Sequence, residues 1–201
     1  LGDEKLSHDF SPALRLFAPA RDECSEALKD RMPEEGEKFA VLMPGSEWET
    51  KRWSWEGYRE VAKALIDRKM KVLVCGNSKE RAYNKQVSEN LDVIDLSGQT
   101  TLQDLMYLIK NAALVVCNDS MALHMASAFK TPNVAIFCAT SPEFGFGPWM
   151  NSASVVVQKE GLYCKPCRRH GGHICPTGTE KCMKDLPASD VIRAIDNILS
   201  I

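Results

Sequence analysis

The sequence predicts an α/β fold, a Rossmann-like parallel sheet with helices on both faces, and three observations predict it. Short β-branched runs recur at Phe39 to Met43, Lys71 to Cys75, Leu91 to Asp95, Ala113 to Cys117 and Asn133 to Cys138. Segments with helical periodicity separate them, which is the rhythm of strands joined by crossover helices. The 201 residues, 44% hydrophobic and 26% charged, are enough for one well-buried core. Strands buried on both faces read as continuous apolar runs, and right-handed crossovers between them give a layered sandwich.

Residues 1–36 read as an interdomain connector or domain entrance: irregular chain, a helix from Pro19 to Arg31, then the acidic stretch Met32-Pro-Glu-Glu-Gly-Glu. Residues 37–201 form the domain proper. After the first run, Trp55, Tyr58, Val61, Ala62, Leu65 and Ile66 share one helical face, with Ser54 as N-cap. A second helix starts at Ser78. A third starts near Thr101, where Asp104 makes a capping box and Leu102, Leu105, Leu108 and Ile109 form the inward stripe. A fourth, Ser120 to Phe129, follows its strand after a two-residue corner. Ala153 to Val157 adds a sixth strand, and Pro187 and Ser189 open a final helix with Val191, Ile192, Ile195, Ile198 and Leu199 inward.

A formal net charge of -2 with no polybasic run gives no reason to seek nucleic acid or an anionic membrane. The chain has neither an apolar stretch of membrane-spanning length nor the layout of a secretory signal, so a soluble protein is expected. It does not begin with Met, which suggests a fragment. Cys75, Cys117 and Cys138 end apolar runs and read as buried, reduced thiols of a cytosolic protein.

In an open parallel sheet, ligands bind beyond the carboxyl ends of the strands, so the corners carry the functional information. After the first strand, Gly45 and Ser46 offer backbone N–H groups and Lys51 a cation for a phosphate; a plain surface loop is the alternative. After the fourth, Asp119, Ser120, Met121 and His124 stand at a helix N-terminus, whose free N–H groups suit a diphosphate. Simple N-caps and a core histidine are the alternative there. Glu80, after the second strand, can meet a ribose, and the turn at Thr100, after the third, a base edge; a carboxylate that merely suits the helix dipole and a plain helix cap are the alternatives. The stretch Ala139 to Pro148, rich in Gly, Pro and Phe, is too long for a minimal connection and reads as a site-lining or Ω-loop.

Pro44-Gly-Ser with Lys51-Arg-Trp53, Leu96-Ser-Gly-Gln-Thr-Thr-Leu102, Asn118-Asp-Ser with His124, and Phe137 to Pro148 together resemble the C-terminal domain of glycosyltransferase family 9. That family includes the lipopolysaccharide heptosyltransferases, and the resemblance covers about Phe39 to Leu199. It implies one half of a two-domain GT-B enzyme, the half that holds a nucleotide sugar, ADP-heptose being the family's usual donor. The acceptor would be the lipopolysaccharide core. The setting would be cytoplasmic, with peripheral association at the inner membrane. By resemblance, Gly45, Ser46 and Lys51 meet the diphosphate side of the cleft, Lys51 as the catalytic cation, and Glu80 the ribose. Thr100 would meet the base, and Asp119, Ser120, Met121 and His124 the sugar and diphosphate. Met121 stands where the family most often has Gly, which narrows the cleft. The acceptor-binding domain, with its general base, has no counterpart here, so this chain alone should bind donor without transferring it.

No cofactor is required by that chemistry. Cys164, Cys167, Cys175 and Cys182, in a Cys-rich loop over 164–182 with His170 and His173, have ligand number enough for a structural zinc, weighed behind reduced thiols or occasional disulfides. The competing functional reading is a stand-alone nucleotide-binding module or a zinc-stabilised interaction module without transferase activity.

Overall fold

The computed structural model describes residues 14–200. Six parallel strands form one sheet in the order β3-β2-β1-β4-β5-β6. They are β1 (Phe39–Met43), β2 (Lys71–Val74), β3 (Ile94–Asp95), β4 (Leu114–Asn118), β5 (Asn133–Phe137) and β6 (Ser154–Gln158). Around them lie α1 (Glu26–Lys29), α2 (Trp55–Asp67), α3 (Arg81–Ser88), α4 (Leu102–Asn111), α5 (Met121–Phe129), α6 (Lys181–Lys184) and α7 (Ala188–Leu199). Strand order runs outward in both directions from the β1–β4 pair, so a crevice opens at the carboxyl ends of those two strands.

Successive strand residues point to opposite faces and therefore feed two cores. Ala40, Leu42, Val72 and Val74 join α2, α3 and α7 through Tyr58, Val61, Leu65, Val87, Val191 and Ile195. Val41, Leu73, Val115 and Phe137 join α1, α4 and α5 through Leu28, Leu108, Ile109, Leu123 and Ala126. Each valine, leucine, isoleucine or phenylalanine among them, fully buried, is worth about 1.5–3 kcal/mol of transfer free energy. Ser54 caps α2, its Oγ accepting from Gly57 N at 3.1 Å, and Thr101 with Asp104 forms the capping box of α4.

Two expected elements are shorter than their sequence pattern. The third apolar run, expected as a strand from Leu91, joins the sheet only at Ile94–Asp95, because Val93 N donates to Leu91 O at 2.9 Å and closes a turn instead of extending the ladder. The helix expected over Pro19 to Arg31 is broken into a 3-10 turn at Arg21–Glu23 and the single turn of α1. Cys24 and Ser25 are extended between them, and Ser25 gives its N and Oγ to the Asp104 carboxylate at 2.8 and 2.7 Å. A tertiary partner has replaced the helical one. Cys24, Leu28 and Met32 pack that segment onto the sheet, while residues 1–13 of the expected connector lie outside the described residues. No helix among the described residues is long and apolar enough to cross a membrane.

Candidate functional site

Asn118, the last residue of β4, sets the geometry of the crevice. It is fully buried, donates through Nδ2 to Pro44 O at 2.7 Å and Gly45 O at 3.2 Å, and accepts from Trp53 N at 3.1 Å. One side chain thus pins both ends of the loop that follows β1. Trp53, also fully buried, anchors the far end of that loop by donating Nε1 to Leu186 O at 3.1 Å.

The pinned loop delivers Lys51 inward. Its Nζ lies 2.7 Å from Asp119 Oδ2, the residues being 8% and 3% exposed, and 5.3 Å from the centre of the Phe146 ring. Thr140 Oγ1 donates to the same Asp119 oxygen at 2.7 Å. A buried ion pair is tolerated only when each partner has the other, so the two residues hold one another's position. Immediately beyond Asp119, α5 begins at Met121, and the first N–H groups of a helix have no acceptor within it. Ser120 does not cap the helix, and its buried Oγ has no hydrogen-bond partner among the described residues.

A cleft of about 500 Å³ opens over this floor. Gly45, Ser46, Lys51, Glu80, Thr100, Asp119, Ser120 and Met121 all line it, together with Trp48, Asn77, Leu102 and Leu105. The four corners picked out in the sequence therefore meet in one place. His124, one turn further along α5, is half-buried and outside the lining, and its ring has no hydrogen bond among the described residues. Glu80 reaches the cleft while closing a capping box: Asn77 N donates to Glu80 Oε2 at 2.8 Å, and Asn77 Oδ1 accepts from Glu80 N at 3.3 Å. A Cβ at Gly45 would lie 2.1 Å from the Glu80 carboxyl carbon, so any larger residue there would push the Glu80 carboxylate out of this position. Leu102 and Met121, 55% and 53% exposed, give the cleft apolar surface that a flat ring system can cover.

The Cys-rich loop supplies the rim. Thr50 N and Oγ1 both donate to Gly172 O, at 3.0 and 2.9 Å, and Gly172 N returns a bond to Thr50 Oγ1 at 2.8 Å. Gly171, with φ +80°, passes so close that a Cβ would sit 3.1 Å from Lys51 Cγ. His173 packs its ring on Trp48 and meets the Glu49 carboxylate, and His170 packs on Phe146. Lys165 ties the loop to the sheet by donating to Phe137 O and Gln158 Oε1 at 2.6 and 2.9 Å. Sequence reasoning missed Thr50, Thr140 and the two glycines. A Gly-Gly pair beside histidines was the one signal of close backbone approach.

All four loop cysteines are free thiols, and no three His, Cys, Asp or Glu side chains among the described residues form a group able to hold a metal ion. Their environments differ. Bonds to its sulfur from Thr177 Oγ1 and then from backbone N–H groups outweigh burial and pull the Cys175 thiol below its ordinary pKa, whereas burial pushes Cys182 up to about 11.

Comparison with known proteins gives a consistent picture. A family model described as glycosyltransferase family 9 (heptosyltransferase) matches residues 7–175. The lipooligosaccharide heptosyltransferase 2 of Campylobacter jejuni is 30% identical over 171 residues, which cover 82% of this chain and 52% of that protein. The solved E. coli ADP-heptose LPS heptosyltransferase II superposes with a TM-score of 0.73 at 24% identity, covering 94% of this chain and 53% of that one. A family 9 glycosyltransferase from Veillonella parvula gives a TM-score of 0.75 at 21% identity, covering 93% and 54%. At these identities the two structures speak to the fold. The chain spans about half the length of these relatives.

Proposed function

The chain belongs to glycosyltransferase family 9, and from that membership we propose that it is the donor-binding half of a heptosyltransferase-type glycosyltransferase. The cleft holds a nucleotide sugar, ADP-heptose, and the acceptor is a lipopolysaccharide core sugar presented by a domain outside this chain. The observation that carries the reading is the buried Lys51–Asp119 pair beside the N-terminus of α5. An ammonium beside backbone N–H groups that have no acceptor within the helix supports that reading, because together they would offset the charge that develops on a leaving diphosphate.

Binding runs as follows. The diphosphate settles against the start of α5 and Lys51, which shares its protons between Asp119 and a phosphate oxygen. The ribose lies toward Glu80, and the base lies between Thr100 and the apolar surface of Leu102. The acceptor hydroxyl, deprotonated by a base on the other domain, attacks the anomeric carbon as the carbon–oxygen bond to the diphosphate breaks, with inversion. Lys51 and the helix N-terminus offset the charge on the departing diphosphate, so no metal is called for. The chain alone binds donor without transferring it. Family membership weighs against the stand-alone module and zinc-stabilised interaction readings. The complete enzyme acts on the cytoplasmic side of the membrane, touching it peripherally.

The test is sugar transfer by the full-length protein from ADP-heptose to a lipopolysaccharide core acceptor, with and without EDTA. Transfer that persists in chelator is expected. Absence of transfer, with ADP-heptose neither consumed nor bound, overturns the reading.

A further inference from the structure

The donor machinery described above leaves two guanidinium groups on the rim, those of Arg168 and Arg169, without a role. Arg168, Arg169 and His170 are consecutive and exposed. Neither arginine takes part in any ion pair or hydrogen bond among the described residues, although Arg52, Arg68 and Arg193 all have carboxylate partners. Glu49, a carboxylate of this rim, is already engaged by His173 and Arg52.

The backbone that carries the two arginines is tethered on both sides. Gly172, two residues after His170, is held by three hydrogen bonds to Thr50, the residue before Lys51. Cys167, just before Arg168, donates its N to Ala139 O at 2.9 Å, and Ala139 N in turn donates to Thr50 O at 3.2 Å. The arginine pair is therefore bracketed by two anchors that both converge on Thr50. His170 lies 5.4 Å from the Phe146 ring, the same ring that Lys51 approaches. The corner stands on the rim of the cleft, beside the catalytic cation but outside the lining of the donor pocket.

We infer that Arg168 and Arg169, on this doubly anchored corner, bind an anionic group of the acceptor, a carboxylate or phosphate close to the hydroxyl that reacts. The inference rests on the donor-half reading of the cleft. Guanidinium groups are planar, always charged and matched to the two oxygens of a carboxylate or phosphate. In the donor-half reading the donor phosphates are served at the floor by Lys51 and the start of α5, which leaves the arginines of the rim for the other substrate. Fixing the backbone on both sides of the pair lowers the entropy lost when the ligand is bound.

The experiment uses full-length protein, the double variant Arg168→Ala/Arg169→Ala, and deacylated core oligosaccharide as acceptor, so that no lipid surface contributes. The acceptor is supplied native, dephosphorylated and carboxyl-reduced, and KM is measured separately for donor and acceptor. The variant should raise the acceptor KM about tenfold while donor KM and kcat stay within about twofold. One of the two modified acceptors should erase the difference between variant and wild type, and which one does so identifies the anion. An unchanged acceptor KM, a raised donor KM, or a wild type indifferent to both modifications overturns the inference. Calorimetric titration of wild type and variant with the native oligosaccharide reads the same loss without turnover. Oligosaccharide bound equally by both overturns the inference even if ADP-heptose proves not to be the donor, whereas failure of the donor alone leaves that binding difference standing.

Discussion

The floor of the cleft and its rim lie one residue apart at Lys51 and Thr50, yet they are built from different material. On the floor, Lys51 and Asp119 are buried at 2.7 Å from each other, and Asn118 bonds to three backbone groups with no solvent contact. On the rim, Tyr163 and Ile174 are 93% and 83% exposed, and residues 159–180 contain no helix or strand. The floor inherits its order from strand ends inside two hydrophobic cores. The rim is ordered by a few bonds to Thr50 and by Lys165. A site of this kind should resist perturbation below and yield above, because local stability follows buried contacts.

The largest effect should come from breaking the floor. Lys51→Met leaves the Asp119 carboxylate buried without its cation, the Thr140 hydroxyl still donating to it, and should cost about 3 kcal/mol in denaturant unfolding. An unchanged midpoint would show that the floor does not depend on the ion pair. Cysteine labelling sharpens the same contrast. Cys175, its pKa lowered by bonds to its sulfur, should alkylate first at neutral pH. Cys75 and Cys117, pushed up to about 12 by burial, should react at least about a hundredfold more slowly and only on unfolding. Labelling of Cys117 at the rate of Cys175 would erase the distinction.

On the rim itself, Thr50→Val removes both side-chain bonds to Gly172 and should cost about 1–2 kcal/mol locally. Limited proteolysis within 168–178 should quicken while the global melting temperature barely moves; a large global loss would mean that the rim is part of the core. The smallest effect concerns Asp104. Burial alone would raise its pKa, but bonds from Ser25 and Thr101 outweigh burial and lower it. A depressed carboxylate stabilises above its unfolded pKa of about 3.9 and loses that contribution as pH falls through the lower folded value. Melting temperature should therefore decline below about pH 4 less steeply in Asp104→Asn than in wild type, as followed by calorimetry.

What the sequence made legible follows the same division. Strand ends and helix starts announce themselves through apolar runs and caps, so Lys51, Asp119 and Glu80 were reachable by counting from β1, β4 and β2. Asn118 carried a signal too, as a polar residue closing a buried run. Helix breakage at Cys24 and Ser25 was not legible, because it depends on Asp104, seventy-nine residues away. Nor was the docking of Gly172 on Thr50 across one hundred and twenty-two residues, since backbone bonds between loops leave no periodic trace. His124 shows the limit of helical spacing: a position four residues after Ser120 lies along α5, but whether it reaches the cleft depends on how the helix is set against the sheet.

The central claim is that the cleft over Lys51 and Asp119 receives a nucleoside diphosphate. Calorimetric titration of the full-length protein with ADP, UDP and GDP, alongside a folded Lys51→Met variant, tests it most directly. One site that prefers ADP in the wild type, with affinity at least about tenfold weaker in the variant, is the result predicted. ADP bound equally by both proteins, or no nucleotide bound at millimolar concentration, would contradict it.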